Sequence, residues 1–475
     1  MPFTQGKGSS MQQEANRISL VTAATSLGFA VVQLDGSILN VALPHIGAAL
    51  GASVDGLQWT VDAYLLVFAA LLLSAGALGD RIGAKRAFIG GFAIFAAASC
   101  ACGMANTPAA LIAFRAMQGI GGALLVPCSL ALINHACGDD TGSRARAIGI
   151  WTAAGGAALA AGPVVSGVLL NYWGWRSIFL ANLPIAALGI LLTARFATET
   201  DRSPTKRGID PAGQVLAIPL LLGLVWAFIE AGSFGWMAPR VVLGLGVALT
   251  AGFGLVLVER RVKDPAIPLA FFEDMTFTVA TIAGCIVSLG MYGLVFALSL
   301  YFQKVLHYTA AETGWAFLPF AIGIVVSNLA GGWLSAKVGA RLPMVGGLLL
   351  GAAGFALLVP IGVETSYIAM LPAQILVRFG AGLAVPPMTA ALLATVPRSR
   401  SGSASGLLNA IRQAGAAVGV ALFGSLIRGD LVQGLRVAVM ISAGLFALAA
   451  IAVAFGVRSG DARRAVGNVE VRRPA

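Results

Sequence analysis

Charge is scarce in this chain. Only 11 % of its 475 residues are Asp, Glu, Lys or Arg, against about 25 % in soluble proteins. Hydrophobic residues make up 58 %, and a soluble chain of this length cannot hide that much apolar surface. The scarcity of charge excludes an ordinary soluble protein and predicts a protein that is embedded in a lipid bilayer.

Histidine and cysteine are also rare, with three and five copies. No cysteine has a histidine at the spacing of a zinc site, and no spacing of nucleophile and base stands out. We therefore expect no enzyme, no metal centre and no cofactor. The pattern GxxxxGK[ST] and other nucleotide-binding signatures are missing as well, so the chain has no ATP site with which to drive a pump by itself.

Long apolar runs are abundant. A hydrocarbon core about 30 Å thick takes about 20 apolar residues in helical form. Fourteen segments meet this requirement, and an even number places both termini on one side of the membrane. The predicted spans are 18–39, 57–79, 87–105, 109–135, 145–170, 177–196, 212–230, 240–258, 277–300, 314–335, 342–361, 366–394, 404–427 and 436–457.

The basic residues are distributed unevenly between the two sides. Of the 31 Lys and Arg residues, 23 fall in segments on the side of the termini and 5 in loops on the opposite side. By the positive-inside rule, both termini are predicted to be cytoplasmic. The same rule explains the net charge of +11, so the partner we expect for these cations is the lipid bilayer and not a nucleic acid.

Two features recur at nearly equal offsets. The turn at 76–86, GALGDRIGAKR, returns in degenerate form at 332–341, with an offset of 256 residues between Arg81 and Lys337. A second pair, Arg115 and Arg378, has an offset of 263 residues, and glycine follows each of them four residues later. A duplicated membrane bundle is typical of transporters.

The repeat predicts the domain organisation. Spans one to six form an N-terminal bundle at 1–200, and spans nine to fourteen form a C-terminal bundle at 266–475. Between them, residues 201–265 hold a polar cytoplasmic linker and two inserted spans. We expect an all-α integral membrane fold.

Three charged residues in the first half are candidates for proton coupling. Asp35 lies in the first span, where a carboxylate costs several kcal/mol unless it is protonated, hydrated or paired. Arg115 in the fourth span is a second candidate, with a structural clamp between helices as the alternative. Asp62 lies near the outer end of the second span, where coupling and simple exposure to water are both open.

The fifth span carries the run GGAALAAGPVVSG at 155–167. Proline kinks a helix, and the small residues around it let a neighbouring helix pack closely. We expect the run to act in a conformational change, together with the turn at 76–86. The candidate conformational residues are Gly76, Asp80, Arg81, Gly83, Arg86, Gly162, Pro163 and Gly167.

The motifs together resemble the major facilitator superfamily, and within it the drug:proton antiporters with fourteen spans (DHA2 type). Residues 76–86 are similar to its loop signature between spans two and three. Residues 115–122 are similar to its fourth-span motif, and 155–167 to its fifth-span antiporter motif. The resemblance implies two six-helix domains that rock about a central cavity and export a compound as protons enter.

The expected function is proton-coupled efflux of amphipathic drugs or toxic organic compounds across the cytoplasmic membrane. A dedicated exporter of one metabolite or antibiotic is the alternative, and a channel ranks below both. Some relatives that export polycations carry an acid in the tenth span, whereas 315–334 holds none, so we expect a cationic or neutral substrate of low charge. A periplasmic adaptor stays open as a partner if the cell is Gram-negative. Candidate substrate contacts are Gln33, Asn40, Tyr64, Tyr292, Phe296, Trp315 and Arg412.

Overall fold

The computed structural model of the chain describes residues 5–138, 140–200, 211–262, 269–396 and 401–457. Within these ranges the regular structure is entirely helical. A 3-10 helix covers Leu269–Glu273. The α-helices are α1 Gln5–Leu50, α2 Val54–Ile82, α3 Ala84–Met104, α4 Pro108–Cys137, α5 Thr141–Trp173, α6 Arg176–Leu180, α7 Asn182–Phe196, α8 Pro211–Phe234, α9 Pro239–Glu259, α10 Met275–Lys304, α11 Ala310–Ala316, α12 Leu318–Val338, α13 Arg341–Leu357, α14 Tyr367–Ala394, α15 Ser401–Ile427 and α16 Leu431–Gly456.

The helical segments confirm the predicted fold class. In the described ranges, thirteen segments are long and apolar enough to cross a bilayer, and α13 is a shorter apolar helix of 17 residues. Each of the fourteen predicted spans coincides with one of them. Helices suit a bilayer because every backbone polar group can be paired inside the segment.

Two predicted spans are interrupted. The sixth divides into α6 and α7 at Ala181, and the tenth divides into α11 and α12 at Phe317. Pro184 and Pro319 lie in the first turn of the second piece in each case. Since proline has no N–H to donate to the preceding turn, it is tolerated at a helix start and disrupts a helix interior.

Polar caps mark where several helices begin. The side chain of Ser53 accepts a hydrogen bond at the start of α2, and Thr107 does so at α4. Thr309 and Glu312 form a reciprocal capping box on α11. Such caps satisfy N–H groups that have no partner within the helix.

In each half, the glycine four residues after the repeated arginine lies at a close contact between two helices. A Cβ added at Gly119 of α4 would lie 2.8 Å from the Tyr64 carbonyl oxygen of α2. In the second half, a Cβ at Gly382 of α14 would lie 1.8 Å from the Ser327 Oγ of α12. In both halves, therefore, glycine lets the helix that carries the arginine pack closely against the helix two spans earlier.

The inserted helices α8 and α9 pack against each other, and α8 also packs against helices of both halves. A Cβ at Gly223 of α8 would lie 2.7 Å from the Gly244 carbonyl oxygen of α9, and one at Gly232 would lie 2.6 Å from the Ser425 Cα of α15. Ser233 of α8 also donates a hydrogen bond to Asp55 of α2 at 3.2 Å. The linker predicted before α8, at 201–210, lies outside the described residues.

Candidate functional site

A buried ion pair joins α1 to α4. Arg115 Nη1 lies 2.5 Å from Asp35 Oδ2, and each side chain is 1 % exposed. Sequence analysis singled out both residues, and the structure brings them together. A buried charge needs a partner and further hydrogen bonds to offset its lost hydration.

Those further bonds come from α4 and α7. Gln118 donates to Asp35 Oδ1 at 3.2 Å, and Asn182 donates to the same oxygen at 3.0 Å. Gln118 also accepts from Arg115 at 2.8 Å, and both amides donate to Ser99 Oγ of α3, at 2.7 and 3.3 Å. The carboxylate is thus the centre of a network that links α1, α3, α4 and α7.

Arg115 extends this network to α2. Its Nε donates to the Thr60 carbonyl oxygen at 3.1 Å, and its guanidinium lies 4.5 Å from the centroid of the Tyr64 ring. Tyr64 lies near Tyr292 of α10, in the second half of the chain. Arg115 and Tyr64 thus connect the surroundings of Asp35 with the region where the two halves meet.

Asp62 of α2 is fully buried, with 0 % exposure, and neither of its carboxylate oxygens has a hydrogen-bond partner among the described residues. The alternative that Asp62 is simply exposed to water is wrong. Asp62 lies one helical turn after Gln58, which donates to the Ala421 carbonyl oxygen of α15 at 2.8 Å. It is therefore on the face of α2 that packs against the second half.

Two arginines of the second half lie around Tyr292. Arg378 of α14 and Arg412 of α15 both lie near Tyr292. The Arg378 guanidinium lies 4.8 Å from the centroid of the Phe320 ring. The Nε atoms of both arginines are buried and have no hydrogen-bond partner among the described residues.

The other predicted substrate contacts are dispersed. Phe296 is fully buried, whereas Trp315 is 57 % exposed. The Asn40 amide donates to carbonyl oxygens of its own helix, and Gln33 is partly buried. Of the seven candidates, Tyr64 and Arg412 each lie near a third, Tyr292.

The glycine–proline run of α5 lies between α1 and α11. A Cβ at Gly162 would lie 1.8 Å from Ser37 Oγ, and one at Gly167 would lie 2.7 Å from the Ala310 carbonyl oxygen. The Pro163 carbonyl oxygen lies 2.5 Å from the position of a Cβ on Gly314. This run lets α5 contact both halves of the chain closely.

Polar contacts between the halves lie on the side where α1 ends and α2 begins. Ser299 donates to the Asn40 carbonyl oxygen at 2.5 Å, and Gln303 to that of Val41 at 2.9 Å. Asp55 forms an ion pair with Arg428 at the end of α15. The positive-inside rule predicts that this side is the exterior.

The turn between α2 and α3 binds the segment that follows α7. Gly83 has a φ of 97°, and a Cβ there would lie 2.3 Å from Glu199 Oε1. The Lys85 N–H donates to this oxygen at 2.9 Å, and Arg86 Nε lies 3.7 Å from Glu199 Oε2. Arg81 is exposed. The Asp80 side chain lies outside the described part of the structure, so its predicted role stays a prediction.

Sequence analysis missed Ser99, Asn182 and Glu199. Gln118 lies in the fourth-span motif at 115–122, but neither Gln118 nor Asn182 has a charge that would mark it inside a span. Glu199 lies in a polar stretch where an acid is unremarkable until the fold brings it to the start of α3. The sequence does show a polar residue in each of α3, α4 and α7. Only the packing of these helices shows that the three residues lie at the same depth.

The fold and its buried site place the chain in a known class of membrane protein. The sequence pattern of the Major Facilitator Superfamily matches residues 25–258 and 280–475, and the chain belongs to this superfamily of transporters. It is a multi-pass membrane protein.

Individual proteins of known name are also similar to it. The Multidrug resistance protein Stp of Mycobacterium tuberculosis is 36 % identical over 413 residues, 87 % of this chain and 76 % of the relative. The Methylenomycin A resistance protein of Streptomyces coelicolor is 36 % identical over 401 residues, 84 % of each chain. The crystal structure of a D-xylose-proton symporter matches with a TM-score of 0.70 at 13 % identity, over 94 % of this chain and 99 % of that one. That likeness is one of fold.

Proposed function

We propose that this protein exports amphipathic organic compounds across the cytoplasmic membrane in exchange for protons, with Asp35 as the proton carrier. The observation that carries the proposal is the network around Asp35. Among the described membrane helices, Asp35 and Arg115 form the only carboxylate–guanidinium pair in which each side chain is 1 % exposed. Resistance to drugs, named for two relatives, supports export as the direction.

The charge state of Asp35 determines what holds Arg115. When the carboxylate is ionised, it accepts from Arg115, Gln118 and Asn182. Protonation removes the charge that holds Arg115, whose remaining acceptors are the Gln118 side chain and the Thr60 carbonyl oxygen. A proton on Asp35 therefore frees the guanidinium to move with α2.

Movement of α2 is the step that reaches the second half. Gln58 of α2 donates a hydrogen bond to α15, and Tyr64 lies near Tyr292 of α10. A shift of Arg115 against the Tyr64 ring therefore acts on the contact surface between the halves. Asp62 lies on the same surface without a partner, and it is the second group able to carry a proton there.

The division into bundles at 1–200 and 266–475 with an insertion between them is part of the proposal. In this view the two halves rock about the surface that α1, α2, α10 and α15 form, and the run at Gly162 and Pro163 lets α5 slide between α1 and α11. In this view the polar contacts where α1 ends and α2 begins hold the exterior side closed, and this arrangement receives substrate from the cytoplasm.

The test is accumulation in a drug-hypersensitive bacterium and in reconstituted vesicles. Cells that express the chain should exclude a panel of cationic, neutral and anionic amphipaths, and a protonophore should abolish the exclusion. In vesicles, an imposed pH gradient should drive export by the wild type and not by Asp35→Asn. Wild-type export that ignores both the gradient and the protonophore would refute proton coupling. Export by Asp35→Asn at the wild-type rate would instead assign the proton to another group, with Asp62 tested next.

A further inference from the structure

The charge of the second half is unbalanced at membrane depth. Helices α10 and α12 to α16 contain no Asp or Glu, whereas α14 and α15 carry Arg378 and Arg412. An isolated charge in a membrane costs several kcal/mol, and such residues nearly always have a partner or line a pathway. The burial of these two charges therefore has no explanation in the contacts of the fold.

No described group of the protein neutralises either arginine. Neither guanidinium donates a hydrogen bond to an acceptor in the described part of the chain or lies within ion-pair distance of a carboxylate, and both Nε atoms are buried without a partner. The nearest aromatic contact, Phe320 under Arg378, offsets part of the cost for one of them. By contrast, Arg115 in the first half has Asp35 at 2.5 Å.

The surroundings hold the two cations in place. A Cβ at Gly323 of α12 would lie 3.4 Å from Arg378 Cγ, and one at Gly284 of α10 would lie 3.2 Å from Arg412 Cγ. The stems are thus packed against neighbouring helices, and both arginines lie near Tyr292. Gln374, one turn before Arg378 on α14, is 1 % exposed and also has no partner for its amide oxygen or nitrogen.

We propose that Arg378 and Arg412 form a subsite for an anionic group of the transported compound, a carboxylate or another planar oxyanion, with Tyr292 and Gln374 as further hydrogen-bond donors. The inference rests on the proposed function as an exporter and names its substrate class. A guanidinium presents N–H donors in a fork that matches two oxygens of a carboxylate. The sequence-based expectation of a cationic or neutral substrate rested on the absence of acids from 315–334. It did not use the positive charge of Arg378 and Arg412 to choose the substrate class.

The proposal has a consequence for charge movement. Export of one monovalent anion in exchange for one proton moves two positive charges inward, whereas exchange of a monovalent cation for a proton moves none. An interior-negative membrane potential should therefore accelerate export of the anion. The potential should have no such effect on a monovalent cation exchanged one for one.

The test is binding to the purified protein in detergent, without any proton gradient. The probes are a panel of fluorescent aromatic carboxylates, such as pyrenebutanoate, each paired with its neutral carboxamide. The wild type should bind carboxylates more tightly than the amides. Arg412→Gln and Arg378→Gln should each weaken carboxylate binding about tenfold or more, since hydrogen bonds to charged groups are among the strongest in proteins. Amide binding should change little, and Arg412→Lys should keep part of the preference.

Thermal unfolding of the free protein separates this role from a structural one. If the arginines bind a ligand, then Arg412→Gln removes an uncompensated charge and the melting temperature stays the same or rises. A structural role predicts a lower melting temperature. Arg240→Gln is the control for loss of a cation, because Arg240 is exposed and lies 3.7 Å from Glu230.

Equal binding of carboxylates and amides by the wild type, or carboxylate binding unchanged in both Gln variants, would overturn the anion subsite. Either result leaves proton-driven export standing, since that is measured with the gradient and the protonophore. Conversely, carboxylate binding that depends on the arginines in a protein that ignores the gradient would keep the subsite and refute proton coupling.

Discussion

Arg115 of α4 and Asp35 of α1 lie 2.5 Å apart, 1 % exposed each, 80 residues apart in the sequence. Removal of one partner from such a pair leaves the other charge buried and uncompensated, which destabilises proteins by about 3–5 kcal/mol. Replacement of both partners removes both charges at once. The pair is therefore best studied as a double-mutant cycle.

The first prediction follows from that cycle. Arg115→Gln should lower the melting temperature of the detergent-solubilised protein strongly, because the ionised Asp35 keeps only the amides of Gln118 and Asn182. The double variant Asp35→Asn with Arg115→Gln should melt higher than the single Arg115→Gln variant. If the two substitutions are additive in the free energy of unfolding, the two side chains do not act as a pair and the proposed coupling loses its basis.

Much of this fold could be predicted from the sequence, because the bilayer imposes span length and the loop charges indicate orientation. All fourteen predicted spans coincide with helical segments. The breaks at Ala181 and Phe317 could not be predicted from hydropathy, since apolar residues continue across both. Their cause is local, a proline in the first turn of the following helix.

Sequence analysis could predict only those residues of the candidate site whose burial in a membrane span costs free energy by itself. Asp35 and Arg115 stood out because a charge inside a span needs a reason. Uncharged polar residues such as Asn182 and Ser99 cost little free energy at an interface between helices, so nothing in the sequence marks them. Their role becomes visible only in the structure, where packing places them at Asp35. Arg378 was noted from the sequence only as a repeat marker, and its position near Tyr292 depends on how α10, α12 and α14 pack.

The second prediction concerns the closed side. Asp55→Asn or Arg428→Gln should open the exterior side more often, because each removes an ion pair that joins α2 to α15. The pair is partly exposed, so we expect an effect of about 1 kcal/mol or less, which is a factor of about five in the population of the open state. The measurement is labelling of Asn40→Cys by a membrane-impermeant maleimide from outside, in a background without the five native cysteines.

The charge-swapped variant Asp55→Arg with Arg428→Asp serves as the control for that experiment. It should return labelling toward the wild-type rate. Slower labelling in the single variants than in the wild type would mean that the ion pair does not hold the exterior side closed.

The third prediction concerns the α5 run. Gly162→Ala should reduce transport, because the new methyl group would lie 1.8 Å from Ser37 Oγ and 3.0 Å from the Ile38 nitrogen. Overpacking of this kind costs about 1–3 kcal/mol, here in the closed state in which α1 and α5 touch. Gly156→Ala in the same helix is the matched control, since nothing lies within 4 Å of that position. A second substitution, Ser37→Gly, should restore part of the lost rate, and failure of that rescue would place the defect elsewhere than at α1.

The fourth prediction concerns the turn between α2 and α3. Gly83→Ala should impair the protein in two ways at once. The φ of 97° is unfavourable for any residue with a Cβ, and the new atom would lie 2.3 Å from Glu199 Oε1. Displacement of Glu199 would leave the N–H group of Lys85 at the start of α3 without its carboxylate, which sits where the helix dipole favours negative charge.

Glu199→Gln separates these two effects, because it keeps the backbone of Gly83 unstrained and removes only the charge. We expect Glu199→Gln to reduce the transport rate modestly and Gly83→Ala to reduce it severely, with both proteins still inserted in the membrane. Gly90→Ala in α3 is the control, since a Cβ there meets nothing within 4 Å. The measurement is the initial rate of pH-driven export in vesicles, normalised to the amount of reconstituted protein. Wild-type rates for both Gly83→Ala and Glu199→Gln would show that the contact between the turn and the segment after α7 plays no part in transport.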